Sequence, residues 1–347
     1  MGLQIKDIVP KWEISLKDLQ GKTLAVDAFN TLYQFLTTIR QPDGAPLTDK
    51  NGNITSHLSG LFYRTTHLMK LGIKLIFVFD GIPPEQKFRT HEYRKAAKDS
   101  AKIKYHEALG RGEEEEAGKY AGRFATLNSQ MIEEAKELLD AFGIPHVQAP
   151  SEGEAQAAFM AKQGDAWAAA SQDYDSLLFG APRLIQNLTI ARKRRTPSGL
   201  FVPIQPELIE FHRLIEILGI NLDQLICLGI LCGTDYNPKG IYGLGPKKSL
   251  TLVKQYKTPN AIFAAVEKQL KEKGEEMPFD WKEVFDLFKK PQVTKDYKIK
   301  FKEIDEKALR NILVKKHDFS EERMNSALKK ISEIKEDQKQ KNLKKWF

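Results

Sequence analysis

The chain has 347 residues, with 54 Lys plus Arg against 46 Asp plus Glu, a formal charge of +8 and only two cysteines. Its longest apolar stretch, LICLGILC at 225–232, falls far short of the roughly 20 residues of a membrane-crossing helix, and MGLQIKDIVPKWE at the start has charges and a proline where a secretory signal has its apolar core. A transmembrane protein and a disulfide framework are thereby excluded and a reducing compartment is expected; Cys227 and Cys232 share an apolar helical run without metal-ligand spacing and read as core thiols.

TLAVDAF (23–29) and KLIFVFDG (74–81) are short apolar runs of the kind that forms strands buried on both faces, and the stretch 56–71 between them is helical. A long basic helix follows, residues 87–111 holding eight Lys or Arg and three acids, with EEEE at 113–116. Helical stretches at 128–142 and 151–163 then alternate with the strand-like runs IPHV (144–147), AWAAASQD (166–173) and RLIQNL (183–188). A basic cluster, RKRR, spans 192–195. From Pro206 onward the pattern is helical, with turn signals at NPKG (237–240), GLGP (243–246) and KTP (257–259). This order predicts an α/β fold, a central largely parallel sheet with helices on both faces, followed by an α-helical C-terminal extension.

In parallel α/β sheets ligands gather beyond the carboxyl ends of the strands, so the residue closing each apolar run is informative. Here it is repeatedly an acid. Asp27 closes LAVDA, Asp80 closes FVFDG, Asp173 and Asp175 end AAASQDYD, Glu152 and Glu154 open the helix of SEGEAQAAF, and Asp235 follows ILCGT. Taken singly each has another reading, because Asp also ends strands through turns and Ser151 with Glu154 fits a capping box. Jointly, seven carboxylates at one end of a sheet repel each other and raise their pKa values unless cations neutralise them. All-oxygen donors suit two Mg2+ ions, with Mn2+ able to substitute, and no Cys/His cluster favours zinc; such a pair activates a water for in-line attack on a phosphodiester. Setting these seven aside leaves 39 acids against 54 basic residues, a balance of +15, and an acidic pocket in a basic body suits hydrolysis of nucleic acid. A haloacid-dehalogenase phosphatase reading fails, since Phe29 stands where its second Asp belongs.

Pro83 and Pro84 suit the entry to the basic helix, and at roughly 100° per residue Lys87, Arg94, Lys98 and Lys102 share one face, as phosphate contacts do. A solvated charged helix has the same pattern, but directly after Asp80 the pair Lys87 and Arg94 gains a sharper role, clamping a scissile phosphate. In GIYGLGPKKSL (240–250) glycines permit close backbone approach, then a proline and two lysines open a helix, which makes a phosphate site or a plain interhelix turn. The segment matches neither G-x-G-x-x-G nor a Walker A loop. QKNLKKWF (340–347) puts Leu343, Trp346 and Phe347 on one face of a single turn, an anchor for a partner or a folded-back terminus.

Taken in order, LAVDA, FVFDG, SEGEAQAA, SQDYDSLLFG, GTDYN and GLGPKK closely resemble the motifs of the flap endonuclease family of structure-specific 5′ nucleases, over essentially the whole chain. The resemblance implies a PIN-like 5′ nuclease core with a helical arch and a helix-two-turn-helix. It divides the chain into an N-terminal nuclease domain (1–98), an arch connection (99–115), an internal nuclease domain with the helix-two-turn-helix (116–258), a C-terminal helical region (259–338) and a sliding-clamp peptide (339–347). It also implies that Asp27, Asp80, Glu152 and Glu154 form one metal site and Asp173, Asp175 and Asp235 a second, and that Lys87 and Arg94 are the basic pair of a gateway helix. DNA contacts are implied for Gly2, Tyr33, Arg40, Thr55, Arg64, Glu152, Gly233, Asp235, Gly243, Gly245, Lys247 and Lys248, with K+ at the helix-two-turn-helix. The implied substrate is branched 5′-flap DNA, cut with accompanying 5′ to 3′ exonuclease activity in DNA replication (Okazaki fragment processing) and repair. The implied partner is a subunit of the sliding clamp (PCNA), engaged by a monomer through Gln340, Leu343, Trp346 and Phe347.

Two departures stand out: TDKNGN (48–53) replaces an acidic cluster of eukaryotic members, and the chain stops at Phe347 where they continue into a basic tail. The latter resembles archaeal members and implies a cytoplasmic location. A non-catalytic DNA-binding adaptor with a clamp peptide has no use for seven clustered acids, and a PIN-type ribonuclease has no reason for GLGPKK or the tail.

Overall fold

The computed structural model describes the backbone of residues 3–41, 44–189, 193–195 and 200–343; side chains at 88–91, 93, 94, 109, 114, 115, 117, 124, 193–195, 201, 203, 332 and 334–343 lie outside the described residues. β1 (Trp12–Glu13) precedes β2 (Thr23–Asp27), which runs directly into α1 (Ala28–Thr38). After α2 (Ser56–Lys70) and β3 (Lys74–Phe79), a 3-10 turn at Glu85–Lys87 leads into the paired helices α3 (Phe88–Gly110) and α4 (Glu114–Ala121). Next come α5 (Ser129–Ala141), β4 (His146–Gln148), α6 (Gly153–Gln163), β5 (Ala168–Ala170), α7 (Asp175–Leu178) and β6 (Arg183–Gln186). A hairpin of β7 (Lys193–Arg195) and β8 (Phe201–Pro203) leads to β9 (Glu207–Glu210). Thereafter the chain is helical, with α8 (Phe211–Leu218), α9 (Leu222–Cys232), α10 (Pro246–Tyr256), α11 (Pro259–Glu272), α12 (Trp281–Lys289), α13 (Glu306–Leu309), a π-helical segment at Arg310–Lys316, and α14 (Glu321–Leu343).

The main sheet has the order β1-β9-β6-β5-β2-β3-β4; β6 through β4 are mutually parallel, while β9 and β1 add an antiparallel edge. Three expectations are corrected by these elements. Residues 207–210 form a strand where a helical pattern was expected from Pro206 onward, because ELIE completes the edge beside β6. Ala28 and Phe29 start α1 instead of extending β2, since Asp27 caps that helix by accepting a bond from Asn30 N at 2.9 Å. The Ser151 and Glu154 capping box does not form: Glu152 is the N-cap of α6 and caps with no side-chain bond, while Glu154 is held by Ser171.

The central strands alternate side chains between two cores. Ala25, Ile76, Val78, Ala169 and Leu184 pack against α6, α7 and the helices α9 to α12. Leu24, Val26, Leu75, Phe77, Phe79 and Ile185 pack on the opposite face against α1, α2, α5 and α14. This two-sided burial is why the strands read as unbroken apolar runs. Cys227 is fully buried in the first core and Cys232 partly so, its Sγ 3.6 Å from Ser249 Oγ; burial pushes their thiols up to about 12 and about 11.

An irregular segment joins α12 to α13 across the outside of α6. Gln156 and Thr294 exchange bonds of 2.9 and 2.8 Å, Tyr297 Oη donates to Asp165 at 2.5 Å, and the amides of Lys302 and Asp305 donate to the carbonyls of Gly143 and Ala141 at 2.9 and 2.8 Å. On the other face, His57 Nε2 lies 3.1 Å from Glu134 and His317 Nδ1 lies 3.3 Å from Asp49, tying the 48–54 turn to α2, α5 and the π-helical segment. Asp49 also accepts bonds from Asn51 and Asn53, so its charge is engaged within the TDKNGN loop.

Candidate active site and nucleic-acid interface

The order of strand addition reverses between the parallel neighbours β2 and β5, since β3 and β4 are added on one side of β2 and β5 and β6 on the other. Ligands bind in the crevice at such a switch point. A cavity of about 380 Å3 opens there, lined by Asp27, Asp80, Glu152, Glu154, Asp173 and Asp235 together with Phe29, Tyr33 and Lys87. Six of the seven predicted acids therefore meet in one cleft. The seventh, Asp175, begins α7 beneath it and is buried, its Oδ1 without a hydrogen-bond partner.

Each acid is placed by a local feature. Asp27 ends β2 and caps α1, so the helix-capping and site-forming readings hold at once. Asp80 follows β3 and its Oδ1 accepts the amide of Gly153, the first residue of α6, at 2.6 Å. Glycine is needed there, because an added Cβ would stand 2.6 Å from the same Asp80 oxygen. Ser171, just after β5, donates to Glu154 at 2.9 Å, lies 3.3 Å from Asp27 Oδ2 and accepts the amide of Asp173.

Crowding of like charges away from water is visible in the titration of the group. Burial and then the charge of Asp80 push Asp27 up to about 8, and burial and then Glu152 push Asp80 up to about 6. Glu154 and Asp175 are likewise held well above the usual carboxylate range by burial and by neighbouring acids. Lys87 is the counter-charge, 2.5 Å from Glu152 and 3.6 Å from Asp235. Burial alone would lower its pKa, but the carboxylates of Glu152, Asp235 and Asp80 outweigh that and raise it. Its position differs from the expected one: it closes the 3-10 turn before α3 instead of standing on the face of the long helix.

The donor set fits hard divalent cations, being all carboxylate oxygen, mutually repelling and including an orphaned buried oxygen on Asp175. Among the described residues no three acids or histidines yet stand at the spacing of a metal-ligand cluster. Gly153, Ser171 and Lys87 each bond one oxygen of Asp80, Glu154 and Glu152. The acids are gathered but held by protein partners.

The predicted DNA contacts are spread around this cleft. Tyr33 lines it, with Lys98 of α3 5.1 Å above its ring. Arg40 donates to the carbonyls of Thr37 and Gly44, Thr55 is only 5% exposed, and Arg64 is half-buried on α2. Lys247 and Lys248 are exposed in the first turn of α10, which Gly245 caps. Gly233 (φ +103°) ends α9 and Gly243 (φ +80°) lies in the turn between the two helices. That turn is fixed by Asn237, which donates to Ile230 O and accepts from Thr234 Oγ1, both at 2.6 Å. Arg94 lies in α3, and Gln340 and Leu343 in α14, with side chains outside the described residues; Gly2, Trp346 and Phe347 lie wholly outside them.

Comparison with known proteins places this geometry. The XPG N-terminal domain matches residues 3–101 and the XPG I-region matches residues 143–235, which together contain all seven acids. The chain is 52% identical over 335 residues to flap endonuclease 1 of Hyperthermus butylicus, covering 95% of this chain and 94% of that protein. The chain belongs to the flap endonuclease family. Among solved structures it resembles flap endonuclease-1 from Methanococcus jannaschii, with 42% identity, 97% and 100% of the two chains covered and a TM-score of 0.75. The catalytic core of Rad2 in complex with a DNA substrate matches with 25% identity, 95% and 100% coverage and a TM-score of 0.70.

Four residues of this flap endonuclease fold were missed by motif reading. Asn30 and Ser171 bridge the acids, Gly153 seats Asp80, and Tyr242 is 91% exposed on the α9–α10 turn. Ser171 and Gly153 lie inside SQDYD and SEGEA, so adjacency to the acids was their signal. Asn30 had none, because its partner Asp173 is 143 residues away.

Proposed function

We propose that the protein is a structure-specific 5′ flap endonuclease with 5′ to 3′ exonuclease activity, hydrolysing DNA phosphodiesters where single and double strands meet. The observation that carries this reading is the convergence of six acids and Lys87 in one cleft at the switch point of the sheet, with Asp175 buried beside them, in a chain of the flap endonuclease family. Asp27, Asp80, Glu152 and Glu154 would hold one Mg2+ and Asp173, Asp175 and Asp235 a second, with Mn2+ as a substitute. When bound, such a pair supplies Lewis-acid activation of water and stabilises the leaving oxygen. Lys87, held inside the acid cluster, offers its ammonium to the scissile phosphate, with Arg94 further along α3 as its partner. Tyr33 presents a ring to the unpaired strand at the cleft wall. Gly233, Gly243, Gly245, Lys247 and Lys248 offer amides, close approach and charge to the backbone of a duplex, with K+ as a further ligand of that turn.

Because these contacts address phosphates, selection rests on the shape and bending of branched DNA. In this proposal residues 1–98 and 116–258 are the two parts of the nuclease, 99–115 joins them through an arch, and 259–338 form the helical extension. The peptide 339–347 tethers a monomer to a sliding clamp, which would place the enzyme in replication and repair.

The test is cleavage of an end-labelled double-flap DNA beside the matching duplex and single strand, with Mg2+ or with EDTA. A Mg2+-dependent cut about one nucleotide inside the downstream duplex is expected; Asp80→Ala and Asp173→Ala should abolish it while leaving duplex binding intact. Binding without cleavage under either Mg2+ or Mn2+ would overturn the nuclease and favour a DNA-binding adaptor.

A further inference from the structure

Asn30, in the first turn of α1, touches both proposed metal-binding groups. Its backbone amide donates to Asp27 Oδ1 at 2.9 Å, its side-chain Nδ2 donates to Asp173 Oδ2 at 3.0 Å, and its Oδ1 accepts the amide of Gln172 at 3.3 Å. The residue is thus a rigid link between the end of β2 and the end of β5, across the switch point. Its side chain lines the cleft, and the orientation of its amide is fixed by an amide donor on one side and a carboxylate acceptor on the other.

The residue type is what the position demands. Asp27 and Asp173 line the same cleft, so their two carboxylate charges repel. A group joining them must donate to Asp173 without adding charge of either sign and must also accept from the Gln172 amide. A lysine there would neutralise the site before any metal arrived, an aspartate would add an eighth acid, and an apolar side chain would satisfy neither partner. The two-headed amide of asparagine meets both needs. We infer that Asn30 is a positioning residue which fixes the placement of Asp173 relative to Asp27, and so the spacing between the two proposed metal sites.

This inference rests on the two-metal reading above, and its test separates the two. Mn2+ is titrated into the full chain without DNA by calorimetry, for the unaltered protein, Asn30→Leu, Asp173→Ala and the double variant, with melting in EDTA as a check on folding. Outer-shell partners of metal ligands typically alter affinity 10- to 100-fold, so N30L should weaken Mn2+ binding by about tenfold, yet by less than about twofold in the D173A background, because its effect passes through Asp173. Unchanged affinity in N30L, or equal losses in both backgrounds, would overturn the inference. No saturable Mn2+ binding by the unaltered protein would instead overturn the metal reading. Should N30L fail to fold, Asn30→Ser, which leaves room for a water in place of the amide, must show the same background-dependent loss.

Discussion

Among the described residues, the ammonium of Lys87 sits within the carboxylate cluster, and it stands on the 3-10 turn that launches α3. Lys87→Ala should therefore slow cleavage of bound double-flap DNA by about 100-fold or more, the scale of losing one pre-placed charge partner of the transition state, with little change in DNA affinity. Single-turnover cleavage and fluorescence anisotropy check this, and a large loss of affinity with an intact rate would make Lys87 an ordinary phosphate contact. At Gly153 the effect is steric. Alanine there would press on Asp80 Oδ1 and on Val78 O, at 2.6 and 3.2 Å, and displacing a reacting group by about 1 Å can cost about 100-fold in rate. Since α6 itself gains from Ala over Gly, the melting temperature should hold while cleavage is lost; a fully active variant would show that Asp80 tolerates the shift. The seven acids were legible because they close apolar runs or open the helix that follows one, and Lys87 because it follows Asp80, whereas the cross-strand bonds that hold the acids were not. The bonds of Asn30 and Ser171 join residues brought together only by the order of the strands.

At the scale of elements, the long buried strands and the helices between them were readable from apolar runs. The failures have specific causes. β9 is four residues, Leu208 and Ile209 flanked by two glutamates, wedged between Pro206 and a helix, so its pairing with β6 decides its state. α1 begins on two residues as apolar as the strand before them, and only the cap at Asp27 marks the change. The irregular segment after α12 offers no periodicity to read, yet it is pinned at five backbone and side-chain bonds between Thr294 and Asp305. Gly143 permits two of its closest approaches: φ is +68° and an added Cβ would stand 2.3 Å from Lys302 O. Gly143→Ala should lower stability by about 1–3 kcal/mol, read as a shifted urea midpoint, with the cleavage rate of the folded fraction unchanged. A midpoint equal to that of the unaltered protein would mean the segment is not held through this contact.

Across the whole molecule, the acid cluster makes stability depend on pH in an unusual direction. Asp27 at about 8 and Asp80 at about 6 keep protons in the folded state that unfolded carboxylates lose near pH 4. Between about pH 4 and 8 the folded chain thus binds more protons than the unfolded one, and metal-free stability falls as pH rises. Asp49 and Glu134, whose pKa values are depressed by hydrogen bonds to Asn53 and to His57 against the effect of burial, contribute in the opposite sense, with stability lost only as pH drops through the acid range. Melting in EDTA should therefore move to lower temperature from pH 5 to pH 8, and Mg2+ should flatten that slope; melting temperatures that climb over the same range would contradict the raised values. Salt gives a separate reading, because DNA affinity should fall steeply with its concentration while the rate of the bound complex changes little. The antiparallel edge β1 has two residues and the opposite edge β4 has three, with the five-residue and six-residue strands β2 and β3 enclosed between their neighbours. So little unpaired backbone is offered at either margin that another molecule has almost nothing to extend, and the folded chain is protected from fibrillar self-association at the high concentrations where its most β-prone segments would otherwise be a hazard.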